Sequence, residues 1–599
     1  MCGIAAIFAY HYAALEVNPQ ELRRIRDAMS LRGPDGSGEW ISQNHRVGLA
    51  HRRLSIIDLS ERGAQPMQNR DGNLIVSFNG EIYNYKEIRS RLERTGRVFH
   101  SDSDTEVLLH LYEEKGEEMV HELRGMFAFV LWDARKKTML LARDPYGIKP
   151  LYYADDGWTV RAASQVRALL KSDKVSKIPE PAGVVGFFLM GSVPEPFTTY
   201  QEIRQVPAGS IVTVNATGPS APKSYFSIAG VFQNAAQEKT SGNHKVEVIK
   251  EALLDSVRHH FVSDVPVGVF LSAGIDSGSL VGLAREAGVS NLQTVTLGFD
   301  EFRGKPEDEP PLAQKAAALY GTKHHMKKVT REEFESDLPR ILEAMDQPTI
   351  DGINTYFVSK AAKEIGLKVA LSGLGGDELF GGYPSFNDVP RMVSAFAVPS
   401  RIPFLGEGFR HLFNGVNRFS RLHPKYSGLF KYGGTYPGAY FLKRGLFMPW
   451  ELDSVLDKEI SREGLKRLRV VEHIKKAIEP DPGNSFGRVA ALEASLYLRN
   501  QLLRDADWAG MAHSLEIRTP FVDAFLLKKI AHFSPTKKLL ATSLRTSLPD
   551  EILNRAKTGF GIPMKQWSPK DGGLNGRPWA QNWASSVFLA NDINQKCES

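Results

Sequence analysis

The stretch VPVGVFLSAGIDSGSLVGLA, residues 265–284, decides how this chain is read. VPVGVFL is an apolar run of strand length, SAGIDSG a glycine turn, and SLVGLAREAG a helical continuation. A strand that hands over to a helix through small residues is the repeating unit of a parallel sheet, and the backbone N–H groups at such a helix start can receive phosphate. Ser272, Gly274 and Ser277 offer close approach and hydrogen bonds, and Asp276 is suited to holding Mg²⁺ against a polyphosphate. No GxxxxGK[ST] or GxGxxG pattern accompanies them, so neither a γ-phosphate-transferring loop nor a dinucleotide fingerprint is supported.

Outward from this stretch, HKVEVIKEALLDSVRHHF (244–261) is helical, and LQTVTLGFD (292–300) and LKVALSG (367–373) add strands, each near a helical run. A largely parallel sheet with helices on both faces is expected. After LKVAL comes SGLGGDELFGGY (372–383), where five glycines surround Asp377 and Glu378. Asp276 and Asp377, at the ends of neighbouring strands, could share one magnesium and orient ATP for attack at its α-phosphate. Residues 385–599 read mainly as helices and long loops, including SFGRVAALEASLYLRNQLLRDAD (485–507).

The first 215 residues follow another pattern. IAAIFAY, NLIVSFNGEIYNY, GMFAFVLWD and TMLLARDPYGIKPLYYA have strand composition, whereas SDTEVLLHLYEEKG (103–116) has helical spacing, so an α+β or layered α/β/α domain is expected. Small and polar residues dominate ATGPSAPKSYFS and NAAQEKTSGN, making 216–243 the expected linker between a domain at 1–215 and one at 244–599. A chain of 599 residues exceeds what one core usually supports.

Composition sets the exclusions. A net charge of +6 with no Lys/Arg-rich tail or stripe argues against nucleic acid as a partner. Runs such as VVGFFLMGSV (184–193) are too short to span a bilayer. Two cysteines, Cys2 and Cys597, cannot build a disulfide framework, which points to a reducing, cytoplasmic setting.

SAGIDS resembles the SGGxDS pyrophosphate loop of the ATP-pyrophosphatase family. Together with MCGI, RGPD, NGEIYNY, RDPYGIKPLYY, SGLGGDELFGGY, AHSLEIRTPFVD and RAKTGFG, in that family's order, it makes nearly the whole chain resemble the glutamine-dependent asparagine synthetases and their close amidotransferase relatives. The resemblance implies a doubly wound α/β domain of ATP-pyrophosphatase type with a helical extension. It would adenylate a carboxylate with ATP and Mg²⁺, after which ammonia displaces AMP. Leu271, Ser272, Gly274, Asp276, Ser277, Ser372 and Gly373 would hold nucleotide and pyrophosphate, Asp276 and Asp377 the metal, and Lys557 the charge developing on phosphate. Two positions depart from the pattern. Ala273 stands where SGG has its first glycine, and Leu374 where the family commonly reads SGEG; a leucine cannot accept a proton from incoming ammonia. The resemblance implies aspartate, or another small carboxylate, as the acceptor; Leu374 motivates the alternative, an amidotransferase that modifies a different carboxylate, on a cell-envelope precursor, a sugar acid or an intermediate of secondary metabolism.

The N-terminal domain resembles the class II glutamine amidotransferases, which implies an Ntn-hydrolase αββα sandwich. Cys2, freed by removal of Met1, would be the nucleophile, and its α-amine, with a reference pKa of about 7.7–8.0, its base. Asn79 and the Gly80 N–H would hold the oxyanion, while Arg53, Glu81 and Asp104 would bind glutamine, with Asp104 also able to cap its helix. Arg32, in RGPDGSG, is expected to hold a lid. The two sites imply a largely apolar passage for ammonia. Expected partners are glutamine, ATP and the carboxylate, with a homodimer as a candidate assembly. A binding protein retaining this scaffold without activity is the non-enzymatic alternative.

Overall fold

The structure, a computed structural model, describes residues 2–238, 244–402, 406, 408–410, 424–556, 558–559, 561–567 and 578–590. Toward the N-terminus a pair of antiparallel sheets lies face to face. One runs in the order Ile203–Gln205, Tyr152–Asp155, Thr159–Ala163, Gly3–Ala9, Val47–Arg53, Gly36–Ile41. The other runs Gly218–Pro219, Ser210–Asn215, Thr138–Arg143, Gly125–Asp133, Leu74–Ile82, Met67–Gln68.

Period-two alternation explains the layering. Along Gly3–Ala9, Ile4, Ala6 and Phe8 meet Ile75, Val130 and Leu141 of the second sheet, whereas Ala5 and Ile7 turn outward to Leu22 and Ile25 of the Pro19–Asp27 helix. On the outer face of the second sheet, Val76, Phe78 and Phe129 pack against Val107, Leu108 and Leu111 of the Thr105–Lys115 helix. The order is helix, sheet, sheet, helix.

The C-terminal region is built on five parallel strands in the order Lys323–Lys328, Gln293–Gly298, Val267–Phe270, Val369–Leu371, Glu516–Arg518. Val295, Leu297, Ala370 and Ile517 face one core, shared with the Ile353–Glu364 helix. Val269 and Leu371 face the other, shared with the Lys245–His260 and Ile275–Glu286 helices. Strand order reverses direction at Val267–Phe270, so the gap between it and Val369–Leu371 is the switch point at which α/β sheets bind ligands.

Two features differ from the sequence reading, at 216–243 and at 485–507, and the structure also shows where the apolar run at 184–193, too short for a bilayer, is buried. The composition of 216–243 suggests a linker, yet its described residues form a pair of short strands and an Ile228–Gln237 helix whose Ile228, Ala229 and Phe232 are buried in the second core. The apolar run at 184–193 belongs to the Pro181–Met190 helix, buried among residues of the C-terminal core. The expected long helix at 485–507 is present, but Glu493–Leu503 is wound as a π-helix between α-helical Ser485–Leu492 and Arg504–Met511. Among the described residues no helix is long and apolar enough to cross a membrane.

Candidate active sites

The sequence 265–284 folds as its pattern requires. Val267–Phe270 is a strand, Gly274 is the N-cap of the Ile275–Glu286 helix, and the turn between them is tied by its own hydroxyls. The Ser272 and Ser277 hydroxyls lie 2.9 Å apart, Ser272 N donates to Ser277 Oγ at 3.1 Å, and Leu271 N to Val295 O at 2.9 Å. The second loop meets this turn across the switch point. Ser372 N donates to the Arg518 carbonyl at 2.8 Å, and a Cβ at Gly376 would stand 2.6 Å from Asp276 Cγ, so only glycine permits this approach.

The two loops bring Asp276 and Asp377 to one cation. Lys537, the first residue of the Lys537–Thr542 helix, reaches Asp377 Oδ1 at 2.8 Å and also donates to Asp276 Oδ1. Burial alone would lower the Lys537 ammonium, but the two carboxylates hold it above its ordinary pKa. The set fits magnesium, which typically takes one or two carboxylates and completes its shell with phosphate oxygens and water. Beside it, burial and then the Asp377 charge push Glu378 up to about 8, and Tyr383 donates to its Oε1 at 2.9 Å. A cavity of about 440 Å³ opens here, walled by Leu271, Ser272, Gly274, Asp276, Ser277, Ser372, Gly373, Leu374 and Asp377. Ala556 and Thr558 also line it; Lys557 lies outside the described residues.

The N-terminal site gathers at the start of the first strand. Cys2 is 8% exposed, and its N donates to Asn79 Oδ1 at 2.9 Å, which leaves Asn79 Nδ2 buried without a hydrogen-bond partner. Asn79 and Gly80 lie in the Leu74–Ile82 strand opposite Ala128 and Phe127. Gly80 has φ +152°, and a Cβ there would fall 2.0 Å from the Met126 carbonyl, so the position demands glycine. Burial raises the Cys2 thiol.

Cys2, Arg53, Gly80, Glu81 and Asp104 share one narrow cleft of about 20 Å³. Arg53 is held by loop carbonyls, donating to Ser60 O at 2.9 Å and to Asp58 O. Asp104 stands at the N-cap of its helix, but its carboxylate does not cap it; Oδ2 accepts from Ile82 N at 2.9 Å instead. Burial pushes Asp104 up to about 7. Arg32, expected to hold a lid, is buried. It is 1% exposed, donates through Nε to the Cys2 carbonyl at 3.0 Å, and pairs with Asp507 at 2.6 Å.

That pair is one of several bonds across the boundary between the N- and C-terminal regions. Glu81 Oε2 faces Arg518 at 3.5 Å, and Arg518 Nε donates to Glu516 Oε1 at 2.6 Å. Arg124 reaches Asp523 at 2.6 Å. Sequence reasoning missed Lys537, Arg32–Asp507 and Glu516–Arg518 as site elements. AHSLEIRTPFVD was visible as a motif, but which residues its Glu and Arg face depends on how the two regions pack.

Comparisons with known proteins agree for both regions. The glutamine amidotransferase domain family matches residues 1–226 and the asparagine synthase family residues 248–587. The chain is similar to asparagine synthetase [glutamine-hydrolyzing] 1 of Bacillus subtilis, 34% identical over 95% of this chain and 88% of that protein. It is 31% identical to asparagine synthetase B [glutamine-hydrolyzing] of Escherichia coli over 70% of this chain and 75% of that one. It is 28% identical to amidase chry2 of Gibberella zeae, covering 95% and 90%. With a glutamine amidotransferase domain and an ATP-using synthase domain joined in one chain, this enzyme belongs to the glutamine-hydrolysing asparagine synthetase family of ligases.

Proposed function

We propose that this chain hydrolyses glutamine at Cys2 and uses the ammonia to amidate a carboxylate activated as its acyl-adenylate, aspartate being the first acceptor to test. The observation that carries the reading is the convergence of Asp276 and Asp377 on Lys537 at the sheet's switch point.

In the first site, removal of Met1 leaves the Cys2 amine as the base that takes the thiol proton. The sulfur attacks the glutamine amide carbon, the carbonyl electrons move onto oxygen, and Asn79 Nδ2 with the Gly80 N–H receives that charge. One such donor is worth about 3–4 kcal/mol in the transition state. Collapse expels ammonia, and water then releases glutamate from the thioester. Arg53 suits the glutamine carboxylate, and Asp104 and Glu81 its ammonium. The narrow cleft means that its wall moves to admit glutamine. The buried Asn79 and the glycine-only backbone at Gly80 support this reading of an Ntn-hydrolase type of site.

In the second site, the acceptor carboxylate oxygen attacks the ATP α-phosphorus, and pyrophosphate leaves with the electron pair of the α–β bridging bond. Ser272, Gly274, Ser277, Ser372 and Gly373 surround the phosphates. Magnesium, when bound at Asp276 and Asp377, would supply charge neutralisation to the leaving pyrophosphate. Lys537 and Lys557 add positive charge. Ammonia attacks the acyl carbon, AMP leaves, and one proton is lost to give the amide.

A second reading, amidation of a different carboxylate, is favoured by Leu374, which puts an apolar side chain where a proton acceptor was expected. Purified protein with ATP, Mg²⁺, glutamine and aspartate should produce asparagine, AMP and pyrophosphate. ADP as product defeats adenylation, and pyrophosphate release with other carboxylates only selects the second reading.

A further inference from the structure

The phosphate-loop cavity shares part of its wall with a second one. Asp351, Asn354 and Tyr497 line it on one side and also line a second cavity of about 470 Å³. Each volume is a full ligand site by itself, since such cavities commonly run about 300–1,000 Å³. The second cavity lies between the Pro181–Met190, Val470–Lys476 and Trp579–Ala590 helices and the π-helical Glu493–Leu503 stretch. π-helical segments concentrate at functional sites. This one contributes Leu496, Tyr497, Asn500 and Gln501 to the wall.

The chemistry of the wall narrows the occupant. Met190, Ile350, Leu468, Val470, Ile474 and Leu496 make it largely apolar. Arg444 Nε donates to Glu493 Oε2 at 3.0 Å, and its guanidinium sits in the corner between the T-shaped Tyr383 and Tyr497 rings, 4.3 and 3.9 Å from their centroids, with Nη2 buried and without a hydrogen-bond partner among the described residues. Lys425 donates to the Gly445 carbonyl, and burial holds His473 neutral, with its pKa lowered to about 4. Leu374, on the phosphate-loop side, packs against the same apolar core as these residues.

We propose that the acceptor is a carboxylic acid with a bulky apolar body: its carboxylate lies at the phosphate loops, and its body passes Asp351, Asn354 and Tyr497 into the second cavity. This deepens the acyl-adenylate reading and rests on it; the bonds made and broken are those already written. Leu374, half-buried in the wall of the phosphate-loop cavity, presents an apolar side chain to such a body.

The test uses full-length protein, with 4-phenylbutyrate as the bulky probe and aspartate as the small one. ATP–pyrophosphate exchange is measured with each, and 4-phenylbutyrate binding is followed by calorimetry with Mg²⁺ and a non-hydrolysable ATP analogue. Ala580→Trp fills the cavity from the Trp579–Ala590 helix, and Val470→Phe fills it independently from another helix. Exchange with 4-phenylbutyrate should exceed that with aspartate at least tenfold in kcat/KM, and both variants should lower it at least tenfold while leaving KM for ATP and basal glutaminase within twofold. A preference below tenfold, or one that both variants leave in place, overturns the cavity assignment while adenylation stands. Calorimetric binding that both variants abolish, with no exchange from either acid, upholds the cavity and overturns adenylation. Absence of both binding and exchange overturns the two together.

Discussion

Glu81 and Arg518 face each other 3.5 Å apart across the boundary between the two candidate sites. Glu81 follows the Asn79–Gly80 pair in its strand, and the Arg518 carbonyl accepts from Ser372 N of the second phosphate loop. Burial and the neighbouring Glu516 charge raise Glu81, whereas Arg518 holds Glu516 below its usual range against its own burial. Arg518 is therefore the cation shared by two buried carboxylates, one from each side. Arg518→Leu leaves both carboxylates uncompensated and should cost about 3–5 kcal/mol of stability, read as a fall in unfolding midpoint. Arg518→Lys keeps the charge but loses the planar fork. It should fold, retain basal glutaminase, and show a smaller rise in glutaminase than the parent when ATP and acceptor are added; an equal rise would show that this contact does not couple the sites.

Asn79→Ala removes the side-chain oxyanion donor and the acceptor for Cys2 N. Glutamine-supported amidation should fall by about 10²–10³ in kcat, with ammonia-supported amidation unchanged. Cys2→Ala should abolish the first and spare the second. Parallel loss of both activities in either variant would mean that nitrogen release and carboxylate activation are not divided as the two sites imply.

Lys537→Met takes the cation from between Asp276 and Asp377. Pyrophosphate release should drop at least a hundredfold, with basal glutaminase retained. Mg²⁺ without nucleotide should raise the unfolding midpoint of this variant more than that of the parent, because the ammonium no longer competes for the carboxylates. Asp276→Asn should abolish pyrophosphate release without that Mg²⁺ response.

The Asp104 carboxyl, ordinarily near 3.8, is raised by burial to about 7. Between those values the folded protein keeps a proton that the unfolded chain has lost, so this contribution to stability is full below about pH 4 and is lost as pH rises through 7. Binding an ammonium requires the ionised form. Only about a tenth of Asp104 is ionised at pH 6 and about nine-tenths at pH 8, so KM for glutamine should fall about tenfold over that range. Asp104→Asn should weaken glutamine binding and flatten this dependence; a KM profile identical to that of the parent would remove Asp104 from the site.

Local pattern carried much of the architecture. Strand, glycine turn and helix at 265–284, alternation along the first strand, the strand that carries NGE, and the SAGIDS and SGLGGD loops all depend on nearest neighbours in sequence, and they appear where their residues predict. Other elements depend on distant partners. The edge strand Lys323–Lys328, KHHMKK, has almost no apolar content, and only pairing with Gln293–Gly298 makes it extended. The helix in 216–238 looks like linker composition until Ile228 and Phe232 find the second core.

The sequence by itself determined the short motifs, MCGI with its cysteine, NGE, and the SAGIDS turn with its aspartate, because each is written in contiguous residues whose backbone geometry is local; that Cys2 meets Asn79, 77 residues away, is tertiary. Tertiary structure alone decided what joins and surrounds them. Lys537 lies 261 residues from Asp276, Asp507 lies 475 from Arg32, and the second cavity draws its walls from helices spread between residues 181 and 590. Charge pairing and cavity shape are properties of distances through space, and burial lends those pairs their strength only once the chain has closed around them.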